Sequence, residues 1–304
     1  MGEIKRHKLI IVGCGASGMM AGCAAGLYCD DVMILDANNV PGKKLLATGN
    51  GKCNFTNIFI REDRFNADTG DGVMGIYEKF DFDDVLCFFE HLGVPVRIID
   101  GRCYPYSREA ASVRDALVSR LKELNVKIKL SNRIKDVEKD KEGDFFRVIT
   151  EDGYPYEAEK VILACAGYAG ASFGCDGSVY DILKGMGSVN IKKPFPALVG
   201  LKSSFRDLSE LSGVRVIAKV TLKDGGEDLK SDSGEIIFAS DGVSGIPVMN
   251  LSRYAARLLD EKRECSLCFD FFEEMSETNL EHMLKAMICS RTFPIEEALT
   301  GLIN

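Results

Sequence analysis

An α/β fold, with a β-rich domain and a helical segment after it, is predicted by three observations. An apolar run at Leu9 to Val12 passes straight into Gly13-Cys14-Gly15-Ala16-Ser17-Gly18, and small residues suited to a helix come next. A second apolar run, VMIL, ends on Asp36. Between residues 133 and 158, three strand-like segments are separated by polar turns, which is the pattern of a β-meander. A strand, a glycine turn, a helix and a second strand ending in an acid are the parts of a dinucleotide-binding βαβ unit.

Each residue type in that unit has a physical reason. Gly13 permits the tight turn from strand to helix, Gly15 removes a side chain that would keep a pyrophosphate off the backbone, and Gly18 lets helix and sheet pack closely. The pyrophosphate then faces a helix N-terminus, where free N–H groups and the helix dipole favour negative charge. Asp36 accepts hydrogen bonds from ribose hydroxyls and repels a ribose phosphate, which favours FAD or NAD over NADP at this position. The candidate cofactor-binding residues here are Gly13, Gly15, Ala16, Ser17, Gly18, Asp36 and Ala37. A glycine-rich turn that binds nothing is the competing interpretation; the flanking strand and helix and the acid weigh against it.

The segment beyond Asp36 separates the cofactors. A nicotinamide-binding unit would move on to its next helix, but the chain continues with Pro41-Gly42-Lys43-Lys44 and Thr48-Gly49-Asn50-Gly51-Lys52-Cys53-Asn54. These residues suit a loop. Its glycines allow close backbone approach, and its lysines put positive charge near anionic cofactor groups. Lys43, Lys44, Thr48, Gly49, Asn50 and Asn54 join the candidate site, and FAD is the cofactor expected.

Composition bounds the rest. A chain of 304 residues can bury a sizeable core in one to three domains. Its 38 Lys+Arg against 46 Asp+Glu give a net charge of -8, which disfavours nucleic acid or an anionic membrane and points to a small-molecule substrate. Eleven cysteines scattered through apolar segments fit reduced, buried thiols better than a disulfide framework. No apolar run approaches the roughly 18 residues of a membrane span, and the polar N-terminus leads directly into the first strand. A cytoplasmic protein is expected, and its oligomeric state is open.

From Arg61 to Gly93 the pattern is helical, with Phe82, Val85, Leu86, Phe89 and Leu92 on one stripe and Gly93 as C-cap. His91 beside it is expected at the surface. Val94 to Asp100 predicts a strand, Gly101 to Ser107 a turn, and a helix capped by Ser107 or Ser112 runs to Leu124. A strand at Val126 to Leu130 precedes the meander of Arg133–Lys139, Phe145–Thr150 and Gly153–Ala158. Lys160 to Ala164 is a further strand, and a loop leads to a helix over 177–186.

At Pro194 the composition shifts to short strands (Leu198–Lys202, Val214–Leu222, Glu235–Ala239) and glycine- and serine-rich turns. The expected division is a FAD-binding domain at 1–193, an inserted β-rich domain at 194–243 and a helical segment at 244–304, with helices over 248–260, 276–290 and 295–302. Gly242-Val243-Ser244-Gly245 lacks the strand and oxyanion context of a serine nucleophile, so a turn capped by Ser244 is expected. Cys265 and Cys268 have C-x-x-C spacing without a second ligand pair and fall on opposite faces of a strand, so no metal is expected.

The run GKKLLATGNGKCNFTN, residues 42–57, resembles the signature of the bacterial FAD-dependent oxidoreductases that include the dehydro bile-acid reductases and are often labelled aminoacetone-oxidase-like. Their usual form is close to G-R-K-L-L-x-[ST]-G-x-G-R-C-N-x-T-N. Lys43 and Lys52 stand where arginine is common, and Asn50 where glycine is common.

The resemblance implies a Rossmann-like FAD-binding domain with adenine against the backbone near Arg133 and Ile134. Ala164-Cys165-Ala166-Gly167 resembles the family's A-T-G-G strand end against the cofactor, which adds Ala164 and Gly167 to the site. Ser240 to Pro247 resembles a G-x-S-G-P stretch with Ile246 inserted. Family members run on past the point where this sequence stops, with a strand and helix that close over the flavin; a fragment or a more exposed flavin ring is expected here.

The function implied is transfer of hydride from NAD(P)H to an organic acceptor, such as an activated C=C bond. Alternatives are amine oxidation by oxygen and a noncatalytic or RNA-associated flavin-binding module. No catalytic residue is assigned; Tyr104, Tyr106 and Ser107 are more simply packing residues of a turn.

Overall fold

The computed structural model describes residues 4–65, 71–140, 142–187, 189–289 and 302. The chain divides into two compact units, Met1–Ile191 and Lys192–Asn304.

In the first unit, β1 (Arg6–Val12), α1 (Ala16–Gly26) and β2 (Val32–Leu35) form the N-terminal βαβ unit. After a loop come β3 (Thr56–Asn57), α2 (Asp71–Tyr77), α3 (Phe82–His91), β4 (Val96–Ile99), β5 (Arg102–Pro105) and α4 (Ala110–Glu123). Next are β6 (Lys127–Lys129), β7 (Ile134–Lys139), β8 (Phe146–Thr150), β9 (Pro155–Leu163) and α5 (Ser178–Gly185). Six strands form one sheet in the order β6-β2-β1-β9-β8-β7. The four from β6 to β9 are parallel, and β8 and β7 continue antiparallel.

Burial on both faces explains the continuous apolar runs of the parallel strands: Ile10, Ile11, Ile34 and Leu35 are all fully buried. The small residues of α1 are demanded by its neighbours. A Cβ on Gly22 would lie 2.7 Å from Leu121 Cδ2 and 2.9 Å from Ile34 Cδ1. On α4, Ala110, Val113, Leu117 and Leu121 form the buried stripe at the spacing of one helix face. Asp81 and Asp84 close a capping box at the start of α3, and Gly93, at φ +74°, ends it as expected. His91 is exposed, with Nδ1 2.7 Å from the Cys87 carbonyl.

Three local expectations are corrected. The turn expected over 101–107 is split in two by a strand: Asp100 and Gly101, both at positive φ, make the two-residue hairpin, and a second turn follows at Tyr106 and Ser107. Arg102–Pro105 is the returning strand β5, paired with β4 and β3. The N-cap of α4 is Glu109, without a side-chain cap; the Ser107 and Ser112 hydroxyls bond each other at 2.8 Å. Finally, the segments expected at Gly153–Ala158 and Lys160–Ala164 are one strand, β9. Pro155–Ala158 pairs with β8 and Glu157–Leu163 with β1, and β8 begins at Phe146 opposite Ala158, so Glu159 and Lys160 reach solvent without breaking the strand.

The second unit contains β10 (Leu201–Lys202), β11 (Arg215–Asp224), β12 (Glu227–Ala239), β13 (Gly242–Gly245), α6 (Ile246–Asp260), β14 (Cys265–Asp270) and α7 (Glu277–Cys289). The strands form an antiparallel sheet in the order β10-β13-β12-β11-β14. Val248, Leu251, Ala255 and Leu258 of α6 share one core with Val220, Leu222 and Ile236. The expected boundary at 243/244 therefore falls inside β13, and the β-rich and helical segments are one unit. Ser244 pairs with Ile237 within the sheet and caps no turn. The expected helix over 295–302 lies, but for residue 302, outside the described residues.

Candidate cofactor site

The site forms at the C-terminal ends of β2, β1 and β9, where open α/β sheets bind ligands. A cavity of about 860 Å³ lies there, bounded by Leu35, Val12 and Leu163 at the strand ends and by the loop before α1. Its size is that of a small-molecule or cofactor site, roughly 300–1,000 Å³.

The three glycines differ in what requires them. Gly13 sits at φ +108°, and a Cβ there would lie 2.7 Å from the Ala164 carbonyl oxygen. A Cβ on Gly18 would fall 1.8 Å from the Gly13 carbonyl oxygen. Both are fixed by the protein's own packing. Gly15 is not: its φ of -80° is open to any residue, and a Cβ there would meet nothing within 4 Å. A side chain at Gly15 would enter open space at the start of α1. That helix has no side-chain cap and no acid in its first turn, so its leading N–H groups are free for an anion. A dinucleotide pyrophosphate fits this cradle.

Asp36 fastens the loop to β2. Its Oδ2 accepts from the Cys14 N–H at 2.5 Å, and its Oδ1 accepts from Asn38 N at 2.7 Å and Asn38 Nδ2 at 3.0 Å. These fill three of a carboxylate's roughly four acceptor positions, which leaves one for a ribose hydroxyl. Burial, and secondly the Asp36 charge, push the Cys14 thiol up to about 12. No thiolate competes with a bound anion there.

In the loop after β2, Gly49, Asn50, Gly51 and Cys53 all have positive φ. Lys43, Lys44, Thr48 and Asn54 line the cavity. The Lys44 ammonium, however, donates to the Ala169 carbonyl at 2.7 Å, and Thr48 Oγ1 donates to Leu45 O at 2.6 Å. The Asn54 amide is oriented with its nitrogen toward Thr56 O and Cys103 O, at 2.8 and 3.2 Å.

Gly13, Gly15, Ala16, Ser17, Asp36, Ala37, Ile134 and Ala164 also line the cavity. Gly18, Gly49, Asn50 and Gly167 do not line it; a Cβ on Gly167 would lie 2.6 Å from the Tyr180 hydroxyl. Sequence reasoning missed Asn38, Asn132 and the Phe173–Cys175 stretch, together with an apolar end formed by Met20, Phe55, Phe89, Val113 and Leu117. Asn38 carried a local signal, since a polar residue two positions after Asp invites an Asx-type bond. Among the described residues no group of His, Cys, Asp and Glu is arranged to hold a metal, and no helix is long and apolar enough to cross a membrane.

Residues 7–261 match the family described as the HI0933-like protein Rossmann domain. The chain belongs to that family. This HI0933-like chain is 35% identical over 299 residues to the 3-dehydro-bile acid delta(4,6)-reductase of Clostridium scindens, across 97% of this chain and 72% of that one. It is 26% identical over 257 residues to the ribosomal RNA dihydrouridine synthase of Escherichia coli, across 83% of this chain and 62% of that protein. Among solved structures, the open conformation of a flavocytochrome c3 fumarate reductase aligns with 71% of this chain and 47% of that chain, at 15% identity and a TM-score of 0.45. The resemblance drawn from residues 42–57 is thus borne out, while the rRNA-modifying relative leaves open a nucleic-acid partner that the acidic composition disfavours.

Proposed function

We propose that this HI0933-like protein is a FAD-dependent oxidoreductase that passes hydride from NAD(P)H to an organic acceptor with an activated C=C bond. The observation that carries this reading is Gly15, a glycine with no reason in the protein's own packing at an uncapped helix N-terminus. In this reading the first turn of α1 holds the pyrophosphate, Asp36 the ribose and the backbone at Ile134 the adenine. Lys43 supplies positive charge, and Ala164 and Gly167 flank the ring end. A bound flavin supplies two-electron chemistry, and the protein positions it and excludes water. The apolar end at Phe55, Phe89 and Val113 serves the second task. The eleven cysteines are all unpaired, which suits the reducing cytoplasm.

The names of the two relatives share one reaction type, hydrogen addition to a ring C=C bond, and this supports the choice of acceptor. The E. coli relative favours a second reading in which that ring is a pyrimidine in RNA. The deciding test starts with the visible spectrum of purified protein, where two flavin bands are expected. NADH or NADPH should bleach them without oxygen, and a 3-keto-Δ4 steroid should restore them. Restoration by uridine-containing RNA alone would favour the second reading. A colourless protein that takes up no FAD would refute both.

A further inference from the structure

The segment from Ala169 to Asp176 lies between β9 and α5 and is held at three points by side chains distant in sequence. At its start, the Ala169 carbonyl accepts from Lys44 Nζ at 2.7 Å. In its middle, the Phe173 carbonyl accepts from Asn38 Nδ2 at 3.2 Å, the same amide that bonds Asp36. At its end, Asp176 Oδ2 accepts from Arg133 Nη1 at 2.7 Å. Gly170 and Gly174 have positive φ and set the bends between these points, and Gly177, also at positive φ, leads into α5. The approach to Asn38 is close, since a Cβ on Gly174 would sit 3.0 Å from its Nδ2.

All three anchoring residues line the cavity, as do Phe173, Gly174 and Cys175. Each anchor also adjoins a part of the proposed cofactor site: Lys44 belongs to the lysine loop, Asn38 sits on the ribose carboxylate, and Arg133 precedes the Ile134 backbone. We propose that Ala169–Asp176 is a strap forming the outer wall of an adenosine-diphosphate subsite, with Lys44, Asn38 and Arg133 as the positioning residues that hold it. The proposal rests on the dinucleotide reading and adds to it what retains the nucleotide end. It also reassigns Lys44, whose ammonium holds the strap's carbonyl where the sequence suggested a cofactor anion. Charge-assisted bonds hold both ends of the strap. The Arg133–Asp176 pair is partly exposed, so salt weakens that end.

The test uses holoprotein variants Asn38→Ala, Lys44→Met, Lys44→Arg and Asp176→Asn. FAD release is followed by recovery of flavin fluorescence on dilution, and ADP binding to the stripped protein by calorimetry. Asn38→Ala, Lys44→Met and Asp176→Asn are each expected to release FAD roughly tenfold faster and to weaken ADP in proportion, the loss of about one charge-assisted bond. Lys44→Arg should restore retention. Salt should speed release from wild type but not from Asp176→Asn. Equal release rates and ADP affinities in wild type and all variants would overturn the strap while leaving the dinucleotide reading intact. A wild-type protein that takes up neither FAD nor ADP would overturn both.

Discussion

Replacing Gly15 with aspartate should separate cofactor binding from folding. The position is the N-cap of α1, with extended backbone at φ -80° and ψ -172°, and it has room for a Cβ. Aspartate is a favoured N-cap, better than glycine by a few tenths of a kcal/mol, so thermal stability should hold or rise slightly. The same carboxylate would stand against a bound pyrophosphate. At about 4 Å, two unit charges repel by ~1 to 4 kcal/mol between the limits of water and a protein surface. FAD affinity should fall from about fivefold to several hundredfold, read by titrating flavin-free protein and following flavin fluorescence. Gly18→Ala should behave oppositely. Its Cβ would meet the Gly13 carbonyl oxygen at 1.8 Å, and overpacking of that kind costs about 1–3 kcal/mol, or ~2–4 °C in Tm per kcal/mol. Unchanged FAD affinity in Gly15→Asp, at unchanged Tm, would refute the assignment of this loop to an anion.

Other outcomes rest on the same geometry. Asp36→Ala leaves the Cys14 and Asn38 backbone N–H groups without their acceptor, which should cost about 1–3 kcal/mol in urea unfolding and weaken FAD. The Asp176 carboxyl is held below its usual 3.8 first by hydrogen bonds from Ser178 and then, against burial, by Arg133. A depressed folded pKa gives stability that is present above the unfolded value and lost as pH falls through the folded one. The difference in stability between wild type and Asp176→Asn should therefore be flat from neutral pH to about 5 and shrink below about 4. Burial pushes Cys23 up to about 11, as it does Cys14 to about 12, so iodoacetamide at mildly alkaline pH should alkylate exposed Cys87 and Cys268 and spare these two, as peptide mass mapping would show. Leu222→Ala empties a fully buried position between α6 and the sheet and should destabilise the second unit by about 2–5 kcal/mol, measured by its urea midpoint.

The βαβ unit was legible because its signals are local: glycines at fixed spacing, an apolar run on either side, and an acid where the second strand ends. Elements whose boundaries depend on a partner were less legible. Nothing in residues 153–164 alone says that one strand serves both the meander and the central sheet, because the loss of the β8 neighbour beyond Ala158 is set by where β8 begins. Likewise α6 looked separable from the β-rich segment until Val248 and Leu251 were seen to complete its core. In the site, the sequence anticipated that Gly13, Gly15 and Asp36 come together at one cavity, whereas the protein carbonyl that Lys44 bonds was not foreseeable. The Lys44 bond to Ala169 spans 125 residues, and no local pattern encodes such a meeting. The apolar end was hidden for the same reason, since Met20, Phe55, Phe89 and Val113 come from three helices and a loop.

The dual pairing of β9 has a consequence for how the pocket keeps its shape. Ala158 stands in register with Phe146 on one side and His7 on the other, and the ladder to β1 runs on to Leu163 opposite Val12. The next residue, Ala164, donates its N–H to the Val12 carbonyl and brings its own carbonyl against Gly13. A slip of one residue in the meander would thus be transmitted along a single rigid rod to the floor of the glycine turn, and would turn every inward side chain of β9 outward. The depth of the pocket is gauged from the far end of the sheet, so damage at a solvent-facing hairpin can be felt at the proposed nucleotide site.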